Sequence, residues 1–185
     1  LREFCAHTTR SFNGTPRFEK PILLYWLQTA ASLVTGINEV AARLPAAFAG
    51  IGSVLLLYLI AVRVTSRRAA LVSGLALATM FRFVALSRQG LTDVPVLFFI
   101  VAALYAFVRA TEPSEASRAR RAVPSDRLQP AYLGWAAVGL GVLTKGPVGL
   151  LPVIVWACYA AVRRDMTVVT KVRPLLGPVL AIVIA

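Results

Sequence analysis

Leu44-Pro45-Ala46-Ala47-Phe48-Ala49-Gly50-Ile51-Gly52-Ser53-Val54-Leu55-Leu56-Leu57-Tyr58-Leu59-Ile60-Ala61-Val62 runs for 19 residues without a charge. At about 1.5 Å of rise per residue, a helix of this length matches the roughly 30 Å hydrocarbon layer of a bilayer. Its only interruptions are Pro45, tolerated near a helix start, and small residues. The same reading extends outward. Residues 69–86 form a second apolar run with Arg82 near its far end, and 94–108 a third, opened by Pro95. The run 131–162 is too long for one crossing, and Lys145-Gly146-Pro147 divides it into 131–144 and 148–162. A proline without an amide donor beside a flexible glycine predicts a tight turn there. A further span begins at 175–185. Residues 1–43 are more polar and read as an outer loop, within which 21–34, apolar and rich in aromatics, reads as an interfacial or re-entrant helix. The expected fold class is an all-α, multi-spanning membrane protein, with an outer loop over 1–43 and a transmembrane helical domain over 44–185.

Composition agrees. Of 185 residues, 58% are hydrophobic and 15% charged, with a mean hydropathy of +0.72. A soluble domain is about 45–50% apolar and about 25% charged, so a soluble enzyme, a disordered chain and a disulfide scaffold are excluded together. Cys5 and Cys158 set no pattern. The chain opens at Leu1 without a methionine or a signal-peptide pattern and stops inside an apolar run, so it reads as a piece of a longer protein.

The net charge of +12 needs placing before it is interpreted. With alternating spans, twelve basic residues fall in the loops beginning at Arg63, Arg109 and Arg163, and eight on the opposite side. The richer side is cytoplasmic by the positive-inside rule, and 109–130 becomes a basic cytoplasmic loop. Nucleic acid is not the expected partner, because no aromatic residues interleave with these arginines.

The other side carries the chemistry. Arg17, Glu19 and Lys20, then Arg43, then Arg88 and Asp93, then Lys145 come from loops far apart in sequence, yet topology gathers them at one membrane surface. Charges at helix ends are costly unless paired, hydrated or used. Such a set suits a phosphate-bearing lipid: cations neutralise the phosphate, and a carboxylate holds a divalent metal or orients an acceptor. Each residue also has a plain structural reading. Lys20 snorkels to the headgroups, Arg43 anchors at the interface, and Asp93 caps the helix that Pro95 opens.

Arg17-Phe18-Glu19-Lys20-Pro21, followed by Leu24-Tyr25-Trp26-Leu27, resembles the F-E-K-P-P-L-Y-Y-W-L signature of bacterial lipid-linked sugar transferases. These form the protein O-mannosyltransferase and aminoarabinose (lipid A) transferase family. The likeness continues in order through Asn38-Glu39, Ala42-Arg43-Leu44-Pro45, Arg67-Arg68-Ala69-Ala70-Leu71, Leu91-Thr92-Asp93-Val94-Pro95 and Leu143-Thr144-Lys145-Gly146-Pro147. The resemblance implies a GT-C fold with its site facing the periplasm of a bacterial inner membrane. It implies transfer of a sugar from a polyprenyl-phosphate carrier to lipid A, another glycan or a protein. It further implies a metal held near Glu19 and a carrier phosphate met by Lys20, with Asp93 and Lys145 at recurring polar positions of the family; the shared membrane face adds Arg43 and Arg88 as further phosphate-binding positions. The family carries an Asp-Glu pair upstream of F-E-K-P, the source of its catalytic base, and that pair would fall before Leu1. The catalytic residue is therefore unknown within this stretch.

Two other readings stand beside this one. A transporter or flippase would bind a lipid phosphate without chemistry, but would place its polar groups near the midplane in broken helices. A non-catalytic fragment would keep the binding residues without the base. A preceding span followed by an acidic pair favours the enzyme.

Overall fold

The computed structural model describes residues 11–12, 15–16, 22–111, 128–163, 172 and 176–184. The expectations for Arg17, Glu19 and Lys20, and most of the basic loop 109–130, lie outside these residues. A minimal antiparallel ladder pairs β1 (Ser11–Phe12) with β2 (Thr15–Pro16), Ser11 opposite Pro16. All other regular structure among the described residues is helical. The helices are α1 (Leu23–Thr35), α2 (Glu39–Val64), α3 (Arg67–Thr79), α4 (Phe81–Arg88), α5 (Asp93–Thr111), α6 (Leu128–Lys145), α7 (Leu151–Arg163) and α8 (Leu176–Ile184). A 3-10 turn, Gly146–Leu150, joins α6 to α7.

Glu39–Val64, Asp93–Thr111 and Gln129–Val162 are long and apolar enough to cross a membrane. The outward faces are apolar too: Phe48 is 67% exposed, Ile51 60%, Leu55 58% and Val72 66%. In water that surface would be unstable; in a bilayer the acyl chains are its solvent.

α2 begins earlier than its apolar run suggests. Asn38 caps it, its side chain accepting from the Ala41 N–H at 2.8 Å, and Glu39 in the first turn faces the positive end of the helix dipole. Residues 39–43, expected in an outer loop, thus belong to the crossing helix.

The run 69–86, expected as one span, is two helices bent by 57° at Met80, whose backbone is extended. Thr79 turns its hydroxyl back onto the Leu75 carbonyl at 2.8 Å, a habit of Ser and Thr that bends helices.

Gln129–Val162 doubles back on itself. Gly146 adopts φ +65, and Gly149 lies against the backbone of Gly141 and Val142, so close that any Cβ on it would overlap Val142. Along a straight helix, residues seven apart stand about 10 Å from each other, so this contact requires reversal. Trp135 and Trp156, on either side of the turn, both meet Phe107 of α5, with ring centroids at 5.6 and 5.7 Å. Phe107 is fully buried and, with Ala103, Val138 and Ala181, forms the core. The Trp135 indole donates to the Val172 carbonyl at 2.7 Å, tying the chain after α7 to α6. Buried Ser53 and Thr144 satisfy their hydroxyls on carbonyls of their own helices, at 2.7 and 2.6 Å.

Candidate functional site

α5 and α6 lie side by side in opposite directions, which brings the first residue of one, Asp93, to the last residue of the other, Lys145. Each sits at the end its helix dipole favours, a carboxylate at an N-terminus and an ammonium at a C-terminus. Lys145 Nζ donates to Asp93 Oδ1 in a close ion pair, with both side chains about 40% exposed. The pair is therefore formed but wet, within reach of a solute.

The connections around it converge on one carbonyl. Pro45 lies inside α2 and has no N–H for the Ala41 carbonyl. At the next residue, the Ala42 carbonyl accepts from Gln28 Nε2 of α1 at 2.9 Å. Gly90, in the turn between α4 and α5, adopts φ +65 against the same atom, where a Cβ would stand 2.8 Å from it. A larger residue would be both strained and obstructed. This meeting of α1, α2 and the α4–α5 turn sets Arg43, Arg88 and Asp93 at one end of the bundle.

Arg43 is not a lone cation. Its Nη2 stands 3.1 Å from Glu39 Oε2 one turn earlier, both side chains being exposed. Arg88 closes α4, is exposed, and makes no ion pair among the described residues. The structure thus brings Asp93 and Lys145 into contact and places Arg43 and Arg88 at the same end. Glu39, not among the expected site residues, pairs with Arg43, and its spacing of four residues on one helix is the signal that could have found it. No comparable signal marks Gln28.

Beside these charges lies an apolar groove of about 510 Å³ between α1, α2 and α5, lined by Leu27, Val34, Pro45, Phe48, Pro95 and Phe98 among others. Pro45 and Pro95 each follow a charged residue of the site by two positions, Arg43 and Asp93. The volume is that of a ligand cavity.

Glu19, the expected metal ligand, lies outside the described residues. The described carboxylates, Glu39 and Asp93, are each neutralised by a cation, and no group of three His, Cys, Asp or Glu side chains is arranged to hold an ion among the described residues.

Apolar helices with charged termini gathered at one end, beside a lipid-sized groove, define a multi-pass helical membrane protein with a surface-facing polar site. The family model for dolichyl-phosphate-mannose-protein mannosyltransferase matches residues 14–176. The chain belongs to that family. It is 34% identical over 156 residues, 84% of its length, to an uncharacterised protein of Aquifex aeolicus, and covers 32% of that protein. It is 27% identical over 160 residues, again 84% of its length, to the undecaprenyl phosphate-alpha-4-amino-4-deoxy-L-arabinose arabinosyl transferase of Shewanella sediminis, covering 27% of it. Its fold is similar to the crystal structure of ArnT from Cupriavidus metallidurans in the apo state, with a TM-score of 0.83, 28% identity, and coverage of 99% of this chain and 34% of that one. The same protein bound to undecaprenyl phosphate gives a TM-score of 0.82 at 27% identity, over 98% of this chain and 32% of that one. The fold is accordingly the GT-C membrane fold. The chain spans about a third of the length of these relatives.

Proposed function

We propose that the protein to which this chain belongs is a membrane glycosyltransferase. It moves a sugar from a polyprenyl-phosphate carrier to lipid A, another glycan or a protein, at the periplasmic face of a bacterial inner membrane. One observation carries this reading above the rest: the charged end formed by Asp93, Lys145, Arg43 and Arg88 adjoins an apolar groove, in a chain whose fold matches a protein crystallised with undecaprenyl phosphate. A phosphate on a long isoprenoid needs both halves, cations for its head and an apolar channel for the units nearest it.

The chemistry follows from that placement. An acceptor oxygen attacks the anomeric carbon and the lipid phosphate leaves. Lys145, held by Asp93, together with Arg88 and Lys20, stabilises the charge that grows on the leaving oxygens. The base that takes the acceptor proton is assigned, from the family resemblance, to the acidic pair upstream of Leu1, and both described carboxylates pair with cations. A divalent ion at Glu19 would need its other ligands from outside the described residues. The polar groups stand at the ends of the helices rather than in their middles, which favours an enzyme over a transporter.

The test uses the full-length protein with a radiolabelled polyprenyl-phosphate sugar. Lys20→Ala is expected to abolish transfer while expression and folding survive. Unchanged turnover by that variant would remove Lys20 from the phosphate site.

A further inference from the structure

Two glycines near the middle of α2, Gly50 and Gly52, answer to different neighbours. A Cβ on Gly50 would stand 2.8 Å from Ser87 Oγ and 3.7 Å from a Val94 methyl, so this glycine lets α4 and α5 come close, as small residues do between membrane helices. A Cβ on Gly52 would have three atoms of the Phe98 ring as its nearest neighbours, Cε2 at 2.5 Å, Cδ2 at 2.9 Å and Cζ at 3.6 Å. Its backbone is thus the seat of an aromatic ring. That ring also lines the apolar groove between α1, α2 and α5, about 7.5 Å along α5 from Asp93. Phe99 packs edge-on against it, with ring centroids 5.4 Å apart. Between the Gly52 backbone and Phe99, the space left for the ring is the groove itself.

We propose that Gly52 sets the specificity of that groove for a branched, isoprenoid chain over an unbranched acyl or alkyl chain. The inference rests on the reading that the groove holds the lipid of a phosphate-linked carrier. An isoprenoid carries a methyl branch on every unit and so needs a wider channel than a straight chain of the same length. Without a side chain at position 52, Phe98 lies back on α2 and that width is kept. With alanine there, the ring has to leave its seat. The atoms that meet the new methyl group are the far end of a side chain with two torsions, so the ring turns and the helices stay. It turns into the groove, at the depth of the units nearest the phosphate. A methyl-sized loss of room in an apolar pocket is felt by the ligand that filled it.

The experiment uses purified full-length protein in digitonin, titrated with farnesyl phosphate or dodecyl phosphate and read by native mass spectrometry. The two ligands share headgroup and main-chain length and differ in the methyl branches and double bonds. The parent is expected to prefer farnesyl phosphate. Gly52→Ala is expected to weaken farnesyl phosphate at least about tenfold, the lower end of what one methylene decides in an apolar pocket. Dodecyl phosphate is expected to be held as before, at an unchanged melting temperature. Adding Phe98→Leu to Gly52→Ala removes the displaced ring and is expected to restore farnesyl phosphate. Should Gly52→Ala fold poorly, Phe98→Trp fills the groove from the same point with α2 untouched, and is expected to weaken farnesyl phosphate selectively. A parent-like preference in both variants overturns the proposal, as does equal weakening of the two ligands, the mark of general damage. A parent that binds both ligands alike overturns it too and leaves the carrier reading standing, whereas a parent that binds neither overturns both.

Discussion

Replacing Lys145 by methionine separates its two possible duties. The substitution keeps most of the side-chain volume and removes the charge. Because Lys145 and Asp93 are each about 40% exposed, their pairing is worth about 0.5–1 kcal/mol, as for other solvated ion pairs. Loss of a cation from the C-terminus of α6 adds about 0.3–1 kcal/mol. The variant should therefore be destabilised by about 1–2 kcal/mol, with Asp93 still favoured at the start of α5. Catalysis should suffer far more. A donor aimed at charge that develops in the transition state contributes about 10²–10³-fold in kcat. The assay is transfer from a defined polyprenyl-phosphate sugar by the purified full-length protein, with kcat and KM measured separately and unfolding followed in the same detergent. Lys145→Arg, which keeps the charge, should recover part of the rate. A loss of more than about 3 kcal/mol of stability, outside what a solvated pair supplies, together with unchanged turnover per folded molecule, would show the pair to be a latch between α5 and α6 and refute the catalytic reasoning.

Two further predictions concern the scaffold. Phe107→Ala removes roughly 100 Å³ of buried ring, which at about 24 cal/mol per Å³ costs about 2.4 kcal/mol; its ring contacts with Trp135 (edge-on) and Trp156 (tilted) add about 0.5–1.5 kcal/mol each, so denaturant titration in detergent should show a loss of several kcal/mol. Gly149→Ala places a methyl group on the Val142 backbone, and the reversal after Gly146 should open, read as protease sensitivity at 146–150 or as failure to accumulate, whereas alanine at the neighbouring, exposed Leu150 should be tolerated.

Much of the helical layout is legible in the sequence. Lipid tolerates only long apolar segments, so 44–62 and 94–108 declare themselves by composition, and Gly146-Pro147 announces a turn by removing a donor and admitting a positive φ. The misreadings have a common cause. Hydropathy counts apolar residues but cannot see where hydrogen bonds terminate a helix. Hence the Asn38 cap, which extends α2 through Arg43, and the break at Met80 escaped notice. In the site, Asp93 and Lys145 could be placed at one membrane face by counting crossings, but their mutual contact depends on the antiparallel register of α5 and α6. The Ala42 carbonyl, which gathers three segments, is a backbone atom, and no side-chain pattern points to it.

The break at Met80 has a mechanical consequence. α3 is 13 residues long and reaches about 20 Å, while α4, at 57° to it, advances only about 6 Å further along that direction and about 10 Å sideways. The polypeptide therefore has a wider cross-section at the α4 end of the pair than at the α3 end, and straightening the joint would narrow it.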